Sequence, residues 1–123
     1  MYIDELRFFC LSLKGTREGT PFDASTLVFY VMDKMFCLTN IDHFDSINVK
    51  CDPDKAIELR ETYAEITPGY HMNKKHWNTV SVKGRLSDDF IKQLISSSYH
   101  LVIQGLPKKA QKEWESLPEQ TTQ

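Results

Sequence analysis

No apolar run in the chain approaches the roughly 20 residues that a bilayer-spanning helix requires, so no part of it reads as a membrane segment. The N-terminus does not open like a secretory signal. Asp4 and Glu5 stand where a basic segment belongs, and Arg7 interrupts the apolar stretch. Cysteine is scarce. Cys10, Cys37 and Cys51 are odd in number, far apart in sequence and form no CxxC, which argues against a disulfide framework and a structural zinc site. Each sits in apolar or strand-like surroundings and reads as a small hydrophobe in a reducing, cytoplasmic protein. HExxH, GxSxG and P-loop patterns are all missing, and no carboxylate pair stands out for acid–base chemistry. These absences predict no metal, no cofactor and no catalytic residue, and they place an enzyme last among the function classes.

What is present describes one globular domain. The chain has 123 residues, 41% hydrophobic and 26% charged, enough for a single core without staples. There is no repeat and no low-complexity stretch. A helix is expected over Tyr2–Leu13, where Leu6, Phe9, Cys10 and Leu13 form one apolar stripe. Thr16 to Ser25 is polar and reads as a loop with room for a short edge strand. Leu27–Val31 and Met35–Ile41 are dense in β-branched and aromatic residues and read as a hairpin around Met32-Asp33-Lys34. Ile47–Cys51 alternates as a third strand. Asp52-Pro53 starts a second helix that ends near Ala64, ahead of Pro68-Gly69. Thr79–Val82 alternates again. Ser87-Asp88-Asp89 opens a long helix that Gly105 and Pro107 stop, with Ser96-Ser97-Ser98 as a weak patch inside it. Pro107 can start a short final helix. Consecutive strands flanked by helices predict an α+β fold, an antiparallel sheet with helices packed on one face and the other face open. The domain is expected over 1–117, with a polar tail over 118–123.

Net charge is −2, yet its distribution is uneven. Met1 to Tyr70 carries 7 basic and 12 acidic residues, whereas His71 to Gln123 carries 8 basic and 5 acidic. Between His71 and Arg85 stand Lys74, Lys75, Lys83 and Arg85 without any acid. These cations either form one positive face or are neutralised in space by acids of the first half. Strand parity counted back from Val82 puts Val80, Asn78 and His76 on one face and Thr79, Trp77 and Lys75 on the other. With the valines inward, Trp77 and Lys75 point outward, where an indole can stack on a base beside an ammonium that meets a phosphate. The alternative is that Trp77 packs beneath a loop or helix. His43, His71 and His76 lack metal-ligand spacing and read as loop residues.

At these residues the chain resembles a known family. The strings Cys10-Leu11-Ser12-Leu13, Pro21-Phe22-Asp23, Thr26-Leu27-Val28-Phe29, Lys34-Met35-Phe36 and Asn48-Val49-Lys50-Cys51-Asp52-Pro53 carry the resemblance. The run Pro68-Gly69-Tyr70-His71-Met72-Asn73-Lys74-Lys75-His76-Trp77-Asn78-Thr79-Val80 carries most of it. Ser98-Tyr99 and Leu106-Pro107-Lys108-Lys109 complete it. They are similar to the MmcQ/YjbR family of small bacterial proteins. The resemblance implies a frataxin/CyaY-like α+β arrangement whose hairpins look like a double-wing DNA-binding element. It implies no established activity. The acidic ridge that frataxin-type proteins share is reduced here to Asp4 and Glu5.

Two ligand classes follow as expectations. In the first, a nucleic acid, DNA above all, is held by Tyr70, His71, Asn73, Lys74, Lys75, His76, Trp77, Asn78, Lys83, Arg85, Lys108 and Lys109. In the second, a small anionic ligand or a protein partner uses the same surface. The sequence sets no oligomeric state.

Overall fold

The computed structural model describes residues 1–69 and 72–120. Four helices and six strands follow in the order α1 (Ile3–Ser12), β1 (Thr16–Gly19), β2 (Thr26–Val31), β3 (Lys34–Asn40), β4 (Ser46–Lys50), α2 (Pro53–Thr62), β5 (Ile66–Pro68), β6 (Trp77–Ser81), α3 (Asp88–Gln104) and α4 (Lys108–Ser116). The strands form a single sheet in the order β1-β2-β3-β4-β6-β5, antiparallel at every pairing. This is the expected α+β architecture. The helical side chains Leu6, Cys10, Leu59, Ile91, Ile95, Tyr99 and Val102 join the strand residues Phe29, Ile47, Val80 and Ile66 in one core on the inner face.

Local chemistry explains the element boundaries. Ser87 caps α3 by accepting the Phe90 N–H at 3.1 Å, and Asp52 accepts the Lys55 N–H at 3.3 Å with Pro53 at the first helical position. The β2–β3 hairpin turns on Met32 and Asp33, both at positive φ (49° and 66°), the combination that matches the twist of a two-residue hairpin. β5 was not expected. Its three residues are too few to show a period, and Pro68 is tolerated because β5 is an edge strand.

One irregularity joins the sheet to α3. Phe29 pairs with Cys37 and Tyr30 with Met35, so Phe36 is an extra residue in β3. The fully buried Ser98 hydroxyl donates to the Phe36 carbonyl at 2.6 Å and accepts the Lys50 N–H at 2.8 Å. Ser98 is therefore a link between α3, β3 and β4, not a weak patch.

The C-terminal segment is fastened to the α1–β1 junction. Trp114 donates its indole N–H to the Tyr99 hydroxyl at 2.8 Å and to the Lys14 carbonyl at 3.2 Å. The Gln120 amide oxygen accepts from the N–H groups of Gly15 (2.8 Å) and Thr16 (3.0 Å). Its NH2 group donates to the Leu11 carbonyl at 2.9 Å. Gln120, expected in a free tail, is thus an anchor, while Thr121 to Gln123 lie outside the described residues. Gly15 sits at φ +78°, and a Cβ there would press on Leu117 and Trp114 at 3.2 Å.

Among the described residues no helix is long and apolar enough to cross a membrane.

Candidate functional site on the outer sheet face

Among the described residues no helix contributes to the cluster on the other face of the sheet. Register places Val28, Leu38, Asn48, Thr79 and Thr67 in one row across five strands. The apolar half of this face is a second cluster of Val28, Tyr30, Leu38 and Trp77, with Met35 and Met72 packed against it. The Arg17 guanidinium lies 4.1 Å from the centre of the Tyr30 ring and pairs with Asp33 at 3.2 Å.

Next to this cluster runs a groove of about 600 Å³, lined by Phe22, Thr26, Leu38, Thr39, Asn40, Ser46, Asn48, Met72 and Thr79. Phe22, in the β1–β2 loop, is 64% exposed, an apolar ring presented to solvent at the rim. Among the polar liners, Thr79 donates its hydroxyl to the Asn48 amide oxygen at 2.7 Å. Asn48 therefore offers a ligand mainly its NH2 group. The Asn40 amide oxygen accepts the His43 N–H at 2.8 Å, which again leaves an NH2 group to offer. None of the nine lining residues is charged.

The turn ahead of β6 forms the Met72 wall and carries the basic residues. Asn73 organises it: its carbonyl accepts the Trp77 N–H at 2.9 Å, and its side-chain oxygen accepts the Lys75 N–H at 2.9 Å. Arg60 of α2 donates to the Lys74 carbonyl at 2.9 Å. Gly69 runs against the start of β6 so closely that a Cβ there would meet Trp77 at 2.8 Å, an approach open only to glycine. Lys74 and Lys75 are exposed, and among the described residues no carboxylate forms an ion pair with either.

The twelve residues expected to form one basic surface are divided by the fold. Trp77 does lie on the outer face, as parity predicted, but it is only 9% exposed. The indole is packed within the outer cluster and is not a platform for stacking. Asn78 is 1% exposed and faces the helices, so it is removed from any outer surface. Lys83 follows the far end of β6, opposite Lys74 and Lys75, and pairs with Asp45, an acid of the first half. That hydrogen bond and the ammonium's charge hold the Asp45 carboxyl below its ordinary pKa. Arg85 is exposed at the same end, where its N–H donates to Glu65 at 3.0 Å. Lys108 and Lys109 begin α4, which is fastened to the α1–β1 junction beside the opposite edge of the sheet. His76 is half-buried beside Lys75, and Tyr70 and His71 lie outside the described residues. Lys74 and Lys75 remain exposed in the turn that carries Met72, a wall of the groove, and neither lines the groove itself.

Phe22, Asn40 and Asn48 were not expected at a site. For Phe22 a signal existed, a large apolar ring in a polar loop between Pro21 and Asp23. For Asn40 and Asn48 none did, because a polar residue on an alternating strand reads as solvent-facing.

Cys10 and Cys37, distant in sequence, are neighbours in the inner core. Burial above all, then a hydrogen bond with Cys37, raises the Cys10 thiol well above its ordinary pKa. Cys10 is inert as a nucleophile in that state, and Cys37 is fully buried beside it. Among the described residues no group of three or more His, Cys, Asp or Glu side chains is placed to hold a metal ion.

Comparison with known proteins agrees with this architecture. The chain is 40% identical over 93 residues to the uncharacterized protein YbdF of Escherichia coli O157:H7, covering 75% of this chain and 76% of that protein. It is 29% identical over 113 residues to the uncharacterized protein YjbR of Escherichia coli strain K12, covering 91% and 96%. A crystal structure of a Deinococcus radiodurans protein, described by the domain DUF419, superposes with a TM-score of 0.85 at 39% identity, covering 94% of this chain and 88% of that one. A crystal structure from Pseudomonas syringae gives a TM-score of 0.70 at 28% identity, covering 82% and 98%. The sequence model of YjbR matches residues 11–101, and the chain belongs to the YjbR family.

Proposed function

We propose that this chain is a non-enzymatic binding domain, and that its ligand is single-stranded nucleic acid laid across the outer sheet face. One observation carries the reading: an open groove with uncharged hydrogen-bonding groups on its floor, an exposed aromatic ring on one rim and, in the turn that forms its Met72 wall, two exposed lysines without an ion pair among the described residues. A base fits between Phe22 and Met72, with its edge toward the NH2 groups of Asn40 and Asn48. The adjoining phosphates then meet Lys74 and Lys75. Single strands suit such a face because unstacked bases can lie flat on a sheet and present their edges. Duplex DNA is less suited, since Lys83 is already paired and Lys108 and Lys109 belong to the other edge.

Two phosphate contacts on a single strand predict a slope of log K against log salt of about −1.4, or about a sevenfold loss for a fourfold rise in salt. Fluorescence anisotropy with labelled single and double strands measures this. Replacing Lys74 and Lys75 by Ala is expected to flatten the slope. Phe22→Ala is expected to cost ~1–3 kcal/mol of binding while leaving the slope unchanged, because stacking releases no counterions. Absence of binding to either form at low salt, with the protein folded, overturns the reading. It would promote a second one, an extended protein segment or a small anionic ligand. The uncharged lining favours the protein segment, and an anion would depend on Lys74 and Lys75.

A further inference from the structure

The inner face holds one polar residue that its neighbours do not explain. Asn78 occupies a core position of β6, paired with Val49 and one alternation from Val80. Its NH2 group donates to the Ala56 carbonyl at a long 3.4 Å. That carbonyl accepts only a donor, so the contact fixes which way the amide points. The amide oxygen is buried and has no hydrogen-bond partner. A buried oxygen without a partner is costly to keep, and such groups in folded proteins call for a cause.

The surroundings of Asn78 supply one. Asn78, Cys51, Val80 and Leu94 are among the residues around an inner hollow of about 60 Å³ between the sheet, α2 and α3. An outer hollow of about 320 Å³ adjoins it and shares Lys55, Leu59, Leu94 and Ser97 with it. The outer hollow also reaches Tyr63 and Phe90, whose ring centres are 5.0 Å apart. A dry cavity of about 150 Å³ already admits benzene, so the outer hollow suffices for a single ring and the inner one for a small polar substituent. Of the two lysines on the lining, Lys55 is paired with Glu58 at 3.8 Å and Lys50 shares the outward parity of Asn48 on β4, so neither offers the cleft a free ammonium.

We propose that the α2–α3 cleft is a second ligand site, on the side of the sheet opposite the outer groove, and that it takes a small molecule with one apolar ring and one hydrogen-bond donor. The ring packs on Leu59 and Leu94, which the two hollows share, beside Tyr63 and Phe90, and the donor enters the inner hollow to meet the Asn78 amide oxygen. Burial, the largest cause, raises the Cys51 thiol above its ordinary pKa, so it stays neutral and adds no competing charge.

Phenol and toluene test this, since they match in size and differ in the donor. With the full-length ¹⁵N-labelled chain, phenol is expected to shift the amides of Cys51, Asn78 and Leu94 saturably and to bind about tenfold more tightly than toluene, the effect of satisfying one buried acceptor. Asn78→Leu, close in shape and apolar, is expected to erase that preference. Should that variant fail to fold, the unsubstituted chain still decides through alkylation of the half-buried Cys51 by iodoacetamide, with the buried Cys10 and Cys37 as unreactive controls. Phenol is expected to slow this labelling several-fold more than toluene. Equal binding of phenol and toluene, shifts that fall outside the cleft, or an unchanged labelling rate would each overturn the proposal.

Discussion

The two faces of the sheet share one backbone and are put to different uses. On the inner face Ile47, Val80 and Ile66 stand side by side, each 2% exposed or less, beneath the helices. On the outer face the adjacent row runs from Val28 and Leu38 to Asn48 and Thr79, from apolar to polar within four strands. A face that only needed to meet water would have no reason to bury Val28 fully and Trp77 to 9% without a helix above them. The outer cluster makes a firm floor, and the Phe22 loop and the Met72 turn rise from its edges. The inner face packs beneath the helices, and the outer face sets a row of polar side chains beside a packed apolar cluster.

Mutations separate these uses. The largest expected effect is on the inner face: Phe29→Ala, at a fully buried ring, should destabilise by ~3–5 kcal/mol in urea unfolding. Trp77→Ala should follow at about 3 kcal/mol, because the indole is packed with Val28, Tyr30 and Leu38. A neutral Trp77→Ala would show that the outer cluster is loose and that the two faces differ more than described. Ser98→Ala should cost about 1–3 kcal/mol by leaving the Phe36 carbonyl and the Lys50 N–H without their partner. Hydrogen exchange at Lys50 is expected to quicken more than exchange in β1, which would localise that loss. The smallest effect belongs to Phe22→Ala, expected within about 0.5 kcal/mol of the parent in stability even though the proposed ligand should then bind less tightly. A large stability loss there would make Phe22 a structural residue and remove the groove's rim.

Much of the architecture is legible along the chain. The i, i+3, i+4 stripe of α1, the Asp52-Pro53 and Ser87 caps, the dense β-branched and aromatic run of β2 and the alternation of β4 and β6 are local patterns, and local patterns set local structure. Parity alone placed Trp77 on the outer face. It could not say how deep the indole sits, because Val28, Leu38 and Met35, which surround it, come from other strands. Phe9 and Leu94 show the same limit. Both carry the right period for the core, yet both are only partly buried at its margin.

The candidate site was legible only in part, and the reason is geometric. A run of cations from Lys74 to Arg85 looks continuous in sequence, but a strand separates its ends by its own length. Trp77–Ser81 spans five residues, or about 16 Å at the usual rise. At the far end Asp45 was waiting for Lys83. Meanwhile the groove draws Phe22, Asn40, Asn48, Met72 and Thr79 from three strands and two loops.

By itself the sequence determined the class of the fold, the order of its long helices and strands and most of the inner core, because periodicity and capping act within a few residues of chain. The tertiary structure alone decided which cations stay unpaired, that Ser98 bridges α3 to the β3 bulge, that Cys10 lies against Cys37, and that Asn78 keeps a bare oxygen in the core. Each of these depends on a contact between distant segments, and the free energy of such a contact belongs to the pair. No window on one strand contains it.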